Sequence, residues 1–392
     1  MTDIFIVSGV RTAIGTFGGA LKDTPPSVLG VTTAREAIAR AGVPVDAIGH
    51  AVYGQVLPSE PRDAYMARIV AIESGLPVET PALTVNRLCG SGLQAIVSAA
   101  QALWLGDCSV ALAGGAESMS RTPFYLHTHR WGRKLGDAAL VDGLNEGLKD
   151  PFDHVLMGVT AEHVARRHGI DRARQDALAL ESHRRAAVAI AEGRFDSQIV
   201  PVRVGRRGRE TDFRNDEHVR TDLRADDLAG LRPVFQADGT VTAGNASGIN
   251  DGAASLVLAT GEAVRRHDLK PLARLVAYAH AGVEPLSMGM GPVPATRAVL
   301  ARAGLAVDAL DVIESNEAFA AQACAVSDAL ALDTAKVNPN GSGIALGHPV
   351  GATGAIITVK LVHELQRTGG RYGLATMCIG GGQGIAAIFE RT

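Results

Sequence analysis

R-E-A-I-A-R-A-G-V-P-V-D-A, Arg35 to Ala47, and R-A-V-L-A-R-A-G-L-A-V-D-A, Arg297 to Ala309, agree at eight of thirteen positions without a gap. Each reads as a short amphipathic helix stopped by a glycine, Gly42 or Gly304. An apolar strand follows each, Ala47 to Tyr53 in one case and Val312 to Glu314 in the other. A second match links N-R-L-C-G-S-G (Asn86 to Gly92) with N-P-N-G-S-G (Asn338 to Gly343). Each is read as leading into a long helix and then a glycine-terminated strand, S-V-A-L-A-G-G from Ser109 and Y-G-L-A-T-M-C-I-G-G-G from Tyr372. Two matches in the same order point to a duplicated α/β unit; grammar shared by all α/β chains is the alternative. Two such halves predict paired sheets with helices between and outside them.

The chain has 392 residues, enough for two or three domain-sized units. A net charge of −3 excludes a generally basic nucleic-acid binder. The first residues carry an acid, Asp3, and no basic stretch before an apolar run, so no secretory signal is expected. No uninterrupted apolar run reaches the length of a membrane span. The four cysteines, Cys89, Cys108, Cys324 and Cys378, lack C-x-x-C spacing, which suits a reducing compartment and a cytoplasmic location. The 12 histidines form neither H-x-x-x-H nor H-E-x-x-H, so no metal site is predicted.

Between the halves, from about Ser120 to Gly248, the chain becomes charged and irregular, with a helix predicted over Ala173 to Glu192. This insertion reads as a subdomain placed over one sheet. Its basic run holds Arg203, Arg206, Arg207 and Arg209, either a solvated face or a site for an anion such as a nucleotide phosphate.

Four segments carry chemistry. Cys89 stands in a glycine turn before a helix predicted over Leu93 to Leu105 and closed by Gly106. Unpaired N–H groups at a helix N-terminus favour an anion, and so a thiolate. A buried structural cysteine is the plain alternative. N-E-A-F-A-A-Q, Asn316 to Gln322, follows a strand at the edge where α/β folds keep their ligands. In G-S-G-I-A-L-G-H-P-V-G-A-T-G-A, Gly341 to Ala355, Pro349 restricts the backbone of His348. C-I-G-G-G-Q-G, Cys378 to Gly384, sets a second cysteine in a glycine nest rich in N–H donors. A thiol nucleophile, an imidazole base, a second thiol and converging N–H groups are what acyl transfer to and from a thioester requires.

These segments resemble the signature motifs of thiolases, the acetyl-CoA C-acetyltransferases and 3-ketoacyl-CoA thiolases. The likeness runs from G-V-R-T-A-I-G-T-F-G-G, beginning at Gly9, to the last strand, and G-N-A-S-G-I-N-D-G-A-A, Gly244 to Ala254, matches the family's coenzyme A loop. The resemblance implies an α/β class with a duplicated thiolase fold, two pseudo-symmetric halves in α-β-α-β-α layers. It implies an N-terminal half of residues 1–119 plus 249–270 and a C-terminal half of residues 271–392. Residues 120–248 would be a loop domain for coenzyme A binding and oligomer contacts. Cys89 would be the acylated nucleophile and His348 its base and an oxyanion donor. Asn316 would hold a water, and Cys378 would be the acid/base at the α-carbon. The N–H groups of Cys89 and Gly380 would stabilise tetrahedral intermediates.

For coenzyme A, Arg220, Ser247, Phe235, Ala243, Met157, Ala318 and Phe319 match family contacts, with Leu88, Met157, Met288 and Phe319 expected around the acyl group. The implied substrates are acetyl-CoA, short acyl-CoA, 3-ketoacyl-CoA and CoA, with no tightly bound cofactor, no nucleic acid, no membrane and a homotetramer built as a dimer of dimers. Likeness is greatest to the short-chain biosynthetic group. That group reads H-M-G where this chain has Leu156-Met157-Gly158, with His154 two residues earlier. His154 is not expected to take the histidine's place. A degradative 3-ketoacyl-CoA thiolase is the alternative. Cys378 argues against a decarboxylating ketoacyl synthase, and retention of Cys89, His348 and Cys378 argues against a non-catalytic acyl-CoA or sterol carrier.

Overall fold

The computed structural model describes residues 2–206 and 208–392, so Arg207 of the basic run lies outside the described residues. The first half runs β1 (Ile4–Thr12), α1 (Pro26–Ala41), β2 (His50–Gly54), α2 (Met66–Glu73), β3 (Ala82–Val85), α3 (Ser91–Leu105) and β4 (Val110–Ser118). The intervening segment includes α4 (Met157–His168) and α5 (Arg172–Ala191), after which β5 (Asn250–Thr260) returns to the first sheet. The second half runs β6 (Ala273–Gly282), α6 (Pro292–Ala303), β7 (Val312–Ser315), α7 (Ala320–Leu330), α8 (Val350–Thr368), β8 (Tyr372–Ile379) and β9 (Gln383–Arg391).

The same wiring occurs twice. In the first half the order is β3-β2-β4-β5-β1, with β2 parallel to both neighbours and the remaining pairs antiparallel. In the second half the order is β7-β8-β9-β6, with β7 parallel to β8 and the remaining pairs antiparallel. A single parallel bridge, Ile313 to Val337, stands where β3 stands in the first half. The sheets are not separate. β1 and β6 join them edge to edge through Phe5 with Arg274 and Ile6 with Ala273.

Alternating side chains sort the layers. Ala254, Leu256 and Leu258 of β5 enter a central core, whereas Ala253, Val257 and Ala259 face the opposite core. β9 does likewise, with Ile385, Ala387 and Phe389 inward and Ala386 and Ile388 outward. α3 and α8 fill the central layer, α1 and α2 cover the first half-sheet, and α6 covers the second. The window Leu88–Leu105, with mean hydropathy 1.3, satisfies the length and composition of a membrane span. It contains the central helix α3, whose apolar residues from Leu93 to Leu103 are packed in the central core.

The duplicated segments behave alike in detail. α1 and α6 both begin on proline and end at a left-handed glycine, Gly42 or Gly304, each at φ 66°. V-D-A is a one-turn 3-10 helix both times, Val45–Ala47 and Val307–Ala309, so the first strand starts at His50 and not at Ala47.

Two readings need correction. β4 is not ended by its glycines but runs through them to Ser118. A Cβ at Gly115 would strike the Gly351 carbonyl of α8, so this glycine serves close helix-on-strand approach. The second sequence match is also out of register. Only a four-residue helix, Gly343–Leu346, follows Asn338 to Gly343, and α8 starts at Val350. α3 and α8 cross in backbone contact: a Cβ on Gly92 would lie 2.5 Å from Ala355 N, and one on Gly354 would strike Leu93 N. This reciprocity pairs Gly92 with Gly354, the same sequence spacing that separates Gly42 from Gly304 and Val110 from Tyr372. The partner of the Cys89 loop is therefore the His348 loop itself. The two meet where the helices start.

Candidate active site

Leu88, just before the thiol, is held at φ 46°, a left-handed conformation that costs a branched residue roughly 1–3 kcal/mol. Its neighbours enforce it. The Leu88 N–H donates to Asn86 Oδ1 (2.9 Å), and Ser91 Oγ donates to the Leu88 carbonyl (2.7 Å) while accepting from Arg87 N (2.9 Å). The turn throws Cys89 out ahead of α3. A Cβ on Gly90 would come within 2.6 Å of Ile379 Cδ1, so this glycine lets the loop close on the end of β8.

Cys89 is half-buried, and Cys378, at the end of β8, is fully buried. Burial pushes the Cys89 thiol up, and the N–H groups of Gly380 and of Cys89 itself, which bond its sulfur, oppose that. Burial raises Cys378 strongly, and the proximity of Cys89 raises it further. Both sulfurs rest as thiols. A Cβ at Gly380 would touch Leu88 Cδ1 and Met157 Sδ, both at 3.5 Å, which places this donor between the Cys89 loop and α4.

His348 is reached through Gly347, whose φ of 112° favours glycine and whose Cβ would fall 2.5 Å from Asn250 Cγ. Asn250 Oδ1 accepts the His348 backbone N–H (2.9 Å), and Asn250 Nδ2 donates to the Gly15 carbonyl (3.0 Å). The imidazole Nδ1 lies 2.7 Å from Thr353 Oγ1, and that hydroxyl donates to the Pro349 carbonyl at 2.9 Å. Thr353 is thereby the acceptor, the proton is assigned to Nδ1, and Nε2 presents a lone pair. Burial lowers His348 to about 4, so the ring is a neutral base throughout the physiological range. Asn316 Nδ2 lies 3.5 Å from His348 Nε2, while Asn316 Oδ1 is buried with no protein partner and can take a water.

Around Cys378 the packing is apolar. Met157, Phe235, Ala246, Met288, Ala318 and Phe319 form one cluster with Cys378, and Phe235 meets Phe319 edge to face at 6.3 Å. Gly158 is needed here, because a Cβ would strike the Phe235 ring. Backbone bonds tie the loop at Ser247 to this wall: Ser247 N donates to the Ala318 carbonyl (2.9 Å) and Ala320 N to the Asn245 carbonyl (2.8 Å). Farther out, Ala243 and Arg220 line a pocket with His183, His218, Leu223 and Ile344. Arg220 itself is exposed. Arg203, Arg206 and Arg209 are instead exposed at the pairing of Val202–Val204 with Thr211–Phe213, in which Arg203 pairs with Asp212 at 3.2 Å, and none of the three lines that pocket.

The family profile described as Thiolase, N-terminal domain matches residues 4–262, and that described as Thiolase, C-terminal domain matches residues 269–391. The chain belongs to the thiolase family. It is 63% identical to the beta-ketothiolase BktB of Cupriavidus necator, across 99% of each chain. It is 49% identical to an acetyl-CoA acetyltransferase of Chromobacterium violaceum, across 99% of this chain and 100% of the other. The human mitochondrial 3-ketoacyl-CoA thiolase structure superposes with a TM-score of 0.98 at 44% identity, covering 100% of this chain and 99% of that one. The acetyl-CoA acetyltransferase structure from Bacillus anthracis gives 0.98 at 47%, with the same coverage.

In this thiolase Leu156 caps α4 without a side-chain bond, and His154 is exposed in a turn at φ 55°. Three residues that organise the site were not singled out from sequence: Thr353, Asn250 and Glu117. The first two lie inside segments quoted above, G-A-T-G and G-I-N-D-G, and only their distant partners reveal their work. Glu117, at the end of G-G-A-E, carried no local signal at all.

Proposed function

We propose that this thiolase catalyses the reversible Claisen condensation of acetyl-CoA with acetyl-CoA or a short acyl-CoA, giving a 3-ketoacyl-CoA and CoA. The observation that supports this reading is the arrangement of the Cys89 turn, the His348 loop and Cys378 about the crossing of α3 and α8, with Cys378 set in one apolar cluster. Cys89 sulfur attacks the thioester carbonyl as His348 Nε2 takes its proton, which then leaves on the CoA sulfur. The N–H groups of Cys89 and Gly380 converge on the reacting sulfur, where the acyl-enzyme's tetrahedral oxygen would develop charge. Asn316, through a water on its free Oδ1, and His348 would serve the substrate thioester oxygen. Cys378, a thiol at rest, first gives its proton to the neutral His348 Nε2, and the thiolate so formed takes an α-proton from acetyl-CoA. The carbanion attacks the acyl carbon, the Cys89 S–C bond breaks, and the leaving sulfur takes up the proton held by His348.

The apolar cluster suits a pantetheine arm, with Met157, Phe235, Ala318, Phe319 and Ser247 beside it and Arg220 and Ala243 at the nucleotide end. A related human enzyme, 44% identical with a TM-score of 0.97, has been solved in complex with CoA. The higher identity to the beta-ketothiolase favours the short-chain biosynthetic reading over degradative thiolysis. In this reading residues 120–248 are the loop domain between halves at 1–119 plus 249–270 and at 271–392. A homotetramer is supported by apolar side chains standing in solvent on one arm of that domain, Trp131 at 92% and Leu135 at 90% exposure.

Thiolysis of acetoacetyl-CoA, followed by loss of its enolate absorbance, tests the function. CoA-dependent loss is expected, and its absence would overturn the reading. A panel of longer 3-ketoacyl-CoAs in that assay fixes chain length. Arg220→Ala should raise KM for CoA thioesters about five- to tenfold, the worth of a hydrogen bond to an exposed charge. KM for a pantetheine thioester should not move; an equal rise in both would mean that Arg220 is structural.

A further inference from the structure

Glu117 is fully buried three residues before the inserted segment, and backbone N–H groups hold its carboxyl oxygens. Its Oε2 accepts from Val56 N (3.0 Å) and Gly351 N (2.8 Å), and its Oε1 from Leu57 N (3.2 Å). Val56 and Leu57 belong to the first half and Gly351 to the first turn of α8, three residues past His348. That helix begins on Pro349, which makes no side-chain cap, so Glu117 supplies the missing acceptor from a distant strand. A Cβ on Gly351 would lie 2.5 Å from Glu117 Oε2, so glycine is what allows the bond. The segments it joins also wall the nucleophile: Leu57 and Val350 are buried in one apolar cluster, and Val56 and Cys89 pack on it.

We propose that Glu117 is a positioning residue for the Cys89–His348 pair, stapling the loop beside the thiol to the helix that carries the base and placing a carboxylate behind the thiol. The inference rests on Cys89 and His348 being nucleophile and base. Thr353 fixes the imidazole on the same helical turn, so a shift of Gly351 moves Nε2 relative to the sulfur. Glu117 opposes ionisation of Cys89. Burial pushes the Glu117 carboxyl up to about 8, against its three donors, with Asp63 adding charge of the same sign. It is therefore ionised where the Cys89 thiol titrates. The other titratable groups at the thiol, His348 and Cys378, are neutral at rest.

The test compares wild type, Glu117→Gln and Glu117→Asp as full chains, each checked by circular dichroism melting. Gln keeps the volume but turns an amide N–H2 toward an N–H donor and removes the charge. Asp keeps the charge but shortens the reach. Both variants should lose about 10- to 100-fold in kcat for thiolysis, with KM within about twofold, as expected of sub-ångström misplacement away from the coenzyme A contacts. Alkylation of Cys89 by iodoacetamide, read on its peptide by mass spectrometry, needs no turnover and isolates the charge. Its pH midpoint should lie above the ordinary thiol range in wild type and in Glu117→Asp, and about one unit lower in Glu117→Gln. A kcat within twofold of wild type in a folded variant would overturn the proposal. So would unchanged alkylation midpoints in Glu117→Gln, or a wild-type midpoint below that of a free thiol. Wild-type enzyme inactive in thiolysis would instead sink the proposed function.

Discussion

Cys89→Ala is expected to abolish both acetyl exchange, between coenzyme A and pantetheine acceptors, and condensation. The loss should be about 10⁴-fold or more, because removing a nucleophile removes the covalent route itself. Cys378 offers no ready substitute: it is fully buried, and its thiol is pushed up by burial and by the neighbouring sulfur. Wild-type protein incubated with acetyl-CoA and quenched should carry one acetyl group on the peptide containing Cys89, with ping-pong kinetics. An acetyl group found only on Cys378 or on a lysine would overturn the assignment.

Cys378→Ala should separate the two half-reactions. Acyl transfer to and from Cys89 needs the His348 lone pair and the N–H donors at Cys89 and Gly380, none of which this substitution removes. Forming or quenching the carbanion needs the second sulfur. Acetyl exchange should therefore persist while condensation and thiolysis fall by about 10²–10⁴-fold, the usual contribution of a general acid or base. If exchange is lost as completely as in Cys89→Ala, with the circular dichroism spectrum intact, the division of labour between the sulfurs is wrong.

The duplication was legible because it is written in punctuation. Gly42 and Gly304 end matching helices, and that chemistry is local. The same reliance on punctuation misled at Asn338 to Gly343. An Asn leading to Gly-Ser-Gly recurs there, but the helix it starts stops after one turn, and the true counterpart of Gly92 is set by backbone contact across the molecule. Gly114 and Gly115 looked like a strand terminus for a related reason. Their role is to admit neighbouring backbone, which no window along the chain reveals. At the site, Cys89, His348, Asn316 and Cys378 stand out from sequence because each interrupts a glycine-rich or apolar run. Glu117 does not. Its partners lie 61, 60 and 234 positions away, so its role exists only once both halves are assembled.

The crossing of α3 and α8 at Gly92 and Gly354 also bears on how the protein comes into being. Cys89 is made with the first half, whereas Asn316, His348 and Cys378 follow 227, 259 and 289 positions later. Until the helices cross, a growing chain holds that sulfur without Gly380 beside it or the segments that Glu117 joins. Under the proposed mechanism, the contact that completes the core is therefore also the one that assembles the reaction centre.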